Sequence, residues 1–478
     1  MVVSLVVDVV VINNRYLMRN ILFFVFISLF GFSFAQQDST NVYKKRVLET
    51  AEVDFLSSYY AQEGNNASVT GGIGTEELTD LTGTIVVSMP LNADDVLTVD
   101  VGFSAYTSAS SSNGNPFDLS GASYQGSPWV TSSGASASDV WTSLNADFSH
   151  SSDDRNTIWN ADVSFAAEYD YTSIGFGGGL TKLFNEKNTT LGISGKVYLD
   201  TWNPIYPTEL NAYDDVNGDL SQGYFYGVSI LDEFGDTSTD WSPINGFEVI
   251  KDKARNSYSL SLSLSQILSK NAQFSIFLDI VKQQGWLGNP LQRVYFSDVD
   301  NYYIGNAASI PNYTSKSNTD VFHLADDIER LPSSRLKVPF GFRLNYYLNE
   351  VFVLRTYYRF YSDDWGIQSH TFNLEVPIKL STKFTLYPSY RYYNQTESDY
   401  FAPYDSHLST DKYYTSDYDL SKFNASQYGF GLSYTDIFTK VHIFKFGLKS
   451  IDFKYNYYQR NSGLSANYLG IGFKFIKD

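Results

Sequence analysis

The chain has 478 residues, no cysteine and a formal net charge of −18 at pH 7. An acidic balance of this size argues against nucleic acid as a partner, and the lack of cysteine excludes a fold held by disulfides. Aromatic residues make up 17% of the chain, and after residue 35 no apolar run has the length of a membrane helix. The composition leaves two classes: a secreted β-sandwich or propeller, and a transmembrane β-barrel with aromatic girdles.

Residues 18–35, MRNILFFVFISLFGFSFA, have the three parts of a secretory signal peptide. Arg19 supplies the positive charge, an apolar run follows, and small residues stand at Ser33 and Ala35. We therefore expect translation to start at Met18 and cleavage to fall between Ala35 and Gln36. The predicted organisation is an upstream extension plus signal peptide (1–35), a periplasmic N-terminal segment (36–51) and an outer-membrane barrel (52–478).

From residue 52 onward, apolar and polar side chains alternate with a period of two. In 258–268 one face carries Tyr258, Leu260 and Leu262 and the other carries serines. Alternation sustained for ten residues predicts strands about twice as long as those of a soluble sandwich, near the length that crosses a bilayer. About sixteen strands follow, with fourteen as the alternative count. They lie near 52–60, 82–89, 96–107, 139–149, 157–168, 173–184, 190–201, 255–268, 273–284, 335–348, 351–363, 367–380, 384–396, 427–438, 449–460 and 464–476.

The connections alternate between short turns and longer loops. The longest loops are expected near 108–138, 202–254, 285–334 and 397–426. This alternation is typical of outer-membrane barrels, whose short turns are periplasmic and whose long loops are extracellular. The predicted fold is therefore all-β, a transmembrane antiparallel up-and-down β-barrel with both termini in the periplasm. Outer-membrane lipid and lipopolysaccharide would surround it, and a periplasmic protein or a lipoprotein is a candidate partner.

Five segments after residue 255 carry a family resemblance: SLSLSQILSKNAQFSIFLDIVKQQGWLGNPLQRVYF, RLPSSRLKVPFGFRLNYYL, YYRFYSDDWGIQSHTFNLEVPIKL, YPSYRYYNQTESDYFAPY and YTSDYDLSKF. They resemble an uncharacterised family of outer-membrane barrels from Bacteroidetes and related Gram-negative bacteria. The resemblance covers most of the mature chain and implies the barrel and its location, but no established activity.

The stretch 357–377 holds aspartates, serines, a tryptophan and His370, which are the side chains of a hydrolase site. We interpret it as a polar, aromatic rim at headgroup level, with Trp365 as an interface anchor. The alternative is a lipid-facing hydrolase that resembles the outer-membrane phospholipase. If residue 360 pairs with 370 and 370 with 394, Ser362, His370 and Asn394 share the outer face of the barrel. His370 would then take the proton of Ser362, and Asn394 would orient the imidazole ring. We expect no enzymatic activity.

An acidic segment, DDVNGD, imitates part of a calcium loop. Asp215, Asn217 and Asp219 stand at alternate positions, but the glycine comes too early and no downstream glutamate completes the pattern. A solvated acidic loop is the favoured interpretation. We expect no metal and no cofactor elsewhere, because the other histidines lack the spacing of ligands.

Charged residues divide between two predicted walls of the lumen. The later strands carry inward basic residues, opposed there by Glu375, and the earlier strands carry acidic ones. The basic set is Arg335, Lys337, Arg343, Arg355, Arg359, Lys379 and Arg391; the acidic set is Asp100, Asp147, Asp162, Glu168, Asp200 and Asp279, with Lys196 as the main exception. Charges separated in this way set up a field across a pore. They favour a passive or gated channel, or the membrane scaffold of an export or electron-transfer complex.

Overall fold

The computed structural model describes residues 46–107, 138–313 and 320–477, and its largest element is one antiparallel sheet. Sixteen strands and two short pieces form this sheet. The piece Ile378–Lys379 continues the strand that ends at Glu375, after a break at Pro377, which has no amide hydrogen to donate. The piece His442–Ile443 pairs with the start of the strand Phe446–Arg460. The strands are β1 Glu52–Glu63, β2 Leu78–Pro90, β3 Asp95–Thr107, β4 Ser138–Ser151, β5 Thr157–Ala167, β6 Tyr171–Phe184, β7 Thr189–Trp202, β8 Lys253–Ser269, β9 Ala272–Gly285, β10 Ser334–Tyr347, β11 Val353–Asp363, β12 Gln368–Glu375, β13 Phe384–Gln395, β14 Phe423–Thr435, β15 Phe446–Arg460 and β16 Ser465–Lys477.

The sheet closes on itself. Each strand pairs antiparallel with the next, and β1 pairs with β16 from Glu52 opposite Ile476 to Glu63 opposite Ser465. Closure leaves no free edge in the described sheet, as a bilayer demands, because unpaired backbone groups cost several kcal/mol in hydrocarbon. The first strand begins, and the last strand ends, at the end of the barrel where the short connections lie. We call this the turn end and the opposite end the loop end.

Large apolar side chains cover the outside of the barrel. Ile193 of β7 lies opposite Leu262 of β8, and Leu262 lies opposite Leu278 of β9. Ile193 and Leu262 are 47% and 40% exposed, and similar side chains repeat around the sheet. A soluble monomer rarely exposes so much contiguous apolar surface, whereas a bilayer would bury it. Among the described residues, no helix is long and apolar enough to span a membrane.

The predicted strands are all present. The count of sixteen is confirmed and the alternative count of fourteen is wrong, because the weakly patterned first and last strands pair with each other and complete the barrel. The largest differences in bounds are at β12, which ends at Glu375 rather than near residue 380, and at β2 and β14, which each begin four residues earlier than predicted. The register on which the hydrolase alternative depends is present, with residue 360 opposite 370 and 370 opposite 394.

Four loop-end segments fold together, and we call their described residues the cap. These segments are 64–77, 203–252, 286–333 and 396–422. They contain one α-helix, α1 (Thr208–Asp215), the 3-10 helices Ser68–Thr70, Gly223–Phe225, Ala307–Asn312 and Tyr418–Leu420, and the short strands Ile230–Leu231, Arg293–Val294, Tyr303–Gly305, Val321–His323 and Asp327–Ile328. Ile230–Leu231, Tyr303–Gly305 and Val321–His323 form a small sheet, and Arg293–Val294 pairs with Asp327–Ile328.

The cap has its own hydrophobic core. Leu210, Phe225 and Trp241 from one segment pack with Phe322 and Leu324 from another. The twelve largest fully buried side chains of the described residues all belong to the cap. The tightly packed core of this protein therefore lies in its loops, while the barrel is stabilised by its hydrogen-bonded wall.

Candidate functional site: the lumen and its cap

The strand register places the predicted basic residues on the inward face. Residues directly opposite in antiparallel strands project to the same side, and Arg343 lies opposite Tyr357 while its neighbour Phe342 lies opposite Tyr358 on the outer side. The inward basic residues are Arg335, Lys337, Arg343, Arg355, Arg359, Lys379 and Arg391. Although they lie inside the barrel, Arg343, Arg355, Lys379 and Arg391 are exposed. The lumen is therefore open to solvent toward the turn end.

The acidic residues occupy the opposite stretch of wall, on β3 to β9. Asp100, Asp147, Asp162, Asp200 and Asp279 face inward, and Glu168 follows directly after β5. Asn145 donates to Asp100 (3.0 Å) and Asn160 donates to Asp147 (2.7 Å). Lys196 binds Asp162 at 3.1 Å. The two walls thus carry opposite charge, and hydrogen bonds along the wall hold acidic side chains in place.

The basic wall contains two carboxylates rather than one. Arg355 binds Glu375 at 2.9 Å, in agreement with the predicted inward position of Glu375. The second is Asp363, the last residue of β11, whose side chain also turns inward. Asp363 is buried and binds Arg335, with Nη2 and Oδ2 2.5 Å apart. The permanent charge on this wall is therefore smaller near the loop end than the sequence suggested.

Trp365 is not an interface anchor. Its side chain is only 3% exposed, and its indole Nε1 donates to the carbonyl oxygen of Ser334 (3.1 Å). The guanidinium of Arg335 lies 4.2 Å from the centre of its ring. The short connection after β11 folds inward over the rim, so the tryptophan packs on protein rather than on lipid headgroups.

The three hydrolase candidates are near one another but are not joined. His370 lies opposite Phe360 and Asn394, while Ser362 lies opposite Gln368. The hydroxyl of Tyr358 is 2.8 Å from Nδ1 of His370. Among the contacts of the described residues, no hydrogen bond links Ser362, His370 and Asn394. The nucleophile–base contact that a serine hydrolase uses is therefore not formed here.

The segment that imitates a calcium loop is the end of a helix. α1 ends at Asp215, and Asn217 and Gly218 follow with φ of 50° and 76°. The amide of Gly218 donates back to the carbonyl oxygen of Tyr213, as in a helix C-cap. The Asp219 carboxylate accepts from Ser221, so it stabilises the next turn. The described residues contain no group of three His, Asp or Glu side chains that could hold a metal ion.

Ala35 and Gln36, where cleavage is predicted, lie outside the described residues. The same is true of the whole leader and of most of the predicted loop near 108–138.

The cap is fastened to the barrel rim on the side of β13 and β15. Arg460 of β15 binds Asp419 of the cap, with Nη1 and Oδ1 2.6 Å apart. The Gln395 side-chain amide of β13 donates to the carbonyl oxygens of Asp419 and Ser421. Inward side chains at this end, such as Thr371, are buried, in contrast to those nearer the turn end. The lumen is therefore open to solvent at the turn end and narrowed by the cap at the loop end.

Charged and titratable side chains are buried inside the cap. Arg293 and Glu209 form a bidentate ion pair, with Nε–Oε1 at 2.7 Å and Nη2–Oε2 at 3.1 Å. His323 stacks on Tyr295, with ring centres 4.0 Å apart, and burial lowers its pKa well below the usual value. Burial raises the pKa of Asp326 and of Glu329 to about 8. Sequence patterns did not predict this cluster. The only signal in the sequence was the length of the loops, which exceeds what is needed to connect the strands.

A closed barrel of sixteen antiparallel strands with an apolar outer surface and a charged lumen defines an outer-membrane β-barrel. The chain belongs to the family described as "Protein of unknown function (DUF3570)", whose model matches residues 22–471. The predicted resemblance to an uncharacterised outer-membrane family is thereby confirmed.

The solved structures that this chain resembles share little sequence identity with it. A "Bacterial polysaccharide outer membrane secretin" is 10% identical, with 90% of this chain and 99% of that chain covered and a TM-score of 0.40. A Pseudomonas aeruginosa FadL homologue is 9% identical, with 90% and 91% covered and a TM-score of 0.36. The Pseudomonas putida toluene transporter TodX is 9% identical, with 90% of each chain covered and a TM-score of 0.36. A comparison with curated proteins finds no match. These similarities are too low to assign a substrate.

Proposed function

We propose that the protein is an outer-membrane channel whose conductance is limited by the cap. The observation that carries the proposal is the solvent exposure of charged side chains inside the barrel, among them Arg355, which is 49% exposed although it faces the lumen. A closed barrel filled by salt bridges would bury such groups. A sixteen-stranded barrel is wide enough for an aqueous channel.

In the proposed orientation the loop end is extracellular, and the turn end with both termini is periplasmic. Outer-membrane lipid then contacts the apolar wall, and lipopolysaccharide surrounds the rim. The cap would act as the extracellular gate. The opposite charges of the two walls orient a solute as it enters, and they favour anionic groups on one side and cationic groups on the other.

Single-channel recording in planar bilayers tests the channel. We expect the purified barrel to conduct weakly or intermittently, and we expect a variant with residues 206–249 replaced by a short Gly/Ser linker to conduct more, because this removes α1 and part of the cap core. Heat-modifiable migration in gels serves as the control that both barrels are folded. Folded barrels that conduct in neither form would overturn the proposal.

A second candidate, a membrane scaffold for an export or electron-transfer complex, is favoured by one feature of the turn end. The connection between β14 and β15 exposes several apolar side chains: Ile437, Phe438, Val441, Ile443 and Phe444. Phe444 is 97% exposed, and an exposed apolar patch of this kind marks a protein or membrane contact. We expect Phe438→Ser with Phe444→Ser to abolish crosslinking to a periplasmic protein or lipoprotein, if the scaffold function is correct. Leu408→Ser at the loop end is the control, and crosslinks unchanged by the turn-end variant would count against the scaffold.

A further inference from the structure

A cavity of about 530 Å³ lies at the loop end, between the barrel wall and the cap. Inward residues from β3 to β9 form most of it, and the rest comes from the connection between β5 and β6 and from three cap residues, Ile205, Asn289 and Leu291. Four carboxylates line this cavity, from Asp139, Glu168, Asp170 and Asp200, against the single guanidinium of Arg255. Ligand cavities have volumes of roughly 300–1,000 Å³, so the space suits a small organic molecule.

One carboxylate oxygen in the cavity, on Asp200, is buried without a hydrogen-bond donor. Asp200 is only 7% exposed, and although its carboxylate has a hydrogen bond with the Tyr171 side chain, the oxygen Oδ1 has no hydrogen-bond partner among the described residues. The backbone amide of Asp200 is held by Asn256 at 3.1 Å, which fixes the residue on the wall. A buried carboxylate oxygen without a partner is costly. A donor that enters the cavity would satisfy it.

The aromatic side of the cavity is suited to a cation. The ring of Trp202 is oriented by its Nε1, which donates to Oδ2 of Asp170 at 2.9 Å. The Arg255 guanidinium lies 5.3 Å from the centre of that ring, so a cation–π contact with this tryptophan is already formed within the protein. Trp141 and Tyr171 add further aromatic surface.

We propose that this cavity binds an organic cation that carries two or more ammonium or guanidinium groups. The four carboxylates come from β4, the connection between β5 and β6, and β7. In the described residues no three acidic or histidine side chains converge on one point as a metal ion would require. An extended amine can instead place one charge near Asp200 and another near Asp170, with its methylene groups against the aromatic rings.

The charge of the cavity also favours this ligand. Burial and the neighbouring Asp170 raise the pKa of Glu168, and burial raises the pKa of Asp170. Burial thus disfavours the ionised form of both carboxyl groups, and a bound ammonium group would offset this by favouring their ionisation. The proposal goes beyond the channel function, since binding requires access to the cavity but no conduction.

Isothermal titration of the full-length barrel in detergent, with spermidine as the probe, tests the inference. We expect saturable binding that weakens with added salt. Asp200→Asn should weaken it by about tenfold or more, since hydrogen bonds to charged groups contribute strongly. Glu168→Gln, on the connection after β5, is a second variant in case the buried Asp200 is needed for folding. Asp279→Asn removes a lumen carboxylate outside the cavity and should leave the affinity within about twofold, because a distant charge is screened.

Three results would overturn the proposal: no spermidine binding, equal loss of affinity in Asp279→Asn, or binding of maltotriose in place of spermidine. The last result would identify the cavity as a saccharide site. Conductance of the same preparation is recorded separately, so a failure to bind spermidine leaves the channel proposal standing, and a silent barrel leaves the binding proposal standing.

Discussion

Arg293 and Glu209 form an ion pair that is almost completely removed from solvent, with side chains 1% and 0% exposed. The pair joins two cap segments, and Arg293 reaches a third because its Nη1 donates to the carbonyl oxygen of Val69 (2.8 Å). The guanidinium also lies 5.2 Å from the ring centre of Phe322. A buried ion pair adds little net stability, but loss of one partner leaves an uncompensated charge. The pair therefore makes the cap dependent on both residues.

We predict that Glu209→Gln destabilises the cap by about 3–5 kcal/mol, the usual cost of an uncompensated buried charge. Susceptibility of the cap to protease, measured against urea concentration, gives the loss, while heat-modifiable migration should show that the barrel is intact. The double variant Glu209→Leu with Arg293→Met removes both charges and should recover most of the stability. A double variant as unstable as the single one would mean that shape rather than charge holds this site together.

At the scale of elements, the barrel could be predicted from sequence and the cap could not. Alternation along β8, where Leu260 and Leu262 face outward and the serines between them face inward, is a local pattern that each strand carries by itself. The pairing of Glu209 with Arg293 spans 84 positions in the chain and depends on how the long loops pack. No periodicity specifies such a contact. The wrong interpretation of Trp365 has the same cause, because this residue lies where a strand meets packed loops.

The cap should loosen as pH rises from about 6.5 to about 8. Asp326 and Glu329 have folded pKa values of about 8, against about 4 in an unfolded chain. Their contribution to stability is fully present below pH about 4 and is lost as pH rises through the folded pKa, because the folded cap binds more protons than the unfolded one. The lowered pKa of His323 acts in the other direction, and only below about 6.5, where the unfolded histidine takes up a proton.

Protease susceptibility of the cap at pH 6.5 and pH 8.5 measures this change, which we expect to be on the order of 1–2 kcal/mol for each carboxyl group. Glu329→Gln should reduce the pH dependence, since glutamine does not titrate and its oxygen can still accept from the amide of Asn289. Asp298→Asn is the matched control: hydrogen bonds from Ser409 lower the pKa of Asp298, so that group is ionised throughout this range. An unchanged slope in Glu329→Gln would contradict the assignment.

At the scale of the whole molecule, the mature chain is expected to begin at Gln36. The small residues at Ser33 and Ala35 follow a complete apolar run, and a barrel needs export before it can insert. Mass spectrometry of the barrel purified from outer membranes should give this N-terminus. Detection of Met1 or Met18 on the inserted protein would show that the leader is retained.

The charged walls make a prediction about ion selectivity. Arg355 and Arg359 face the lumen on β11, and arginine stays ionised at any relevant pH. In a water-filled lumen these charges lower the barrier for anions, and salt screens them over about 8–10 Å. We therefore predict that Arg355→Glu with Arg359→Glu shifts the reversal potential toward cations, most strongly at low salt. Lys282→Gln, which removes a positive charge from the outward face of β9, is the control and should shift it much less. A reversal potential that is the same in all three proteins would mean that ions do not pass along this wall, and the scaffold function would then be favoured.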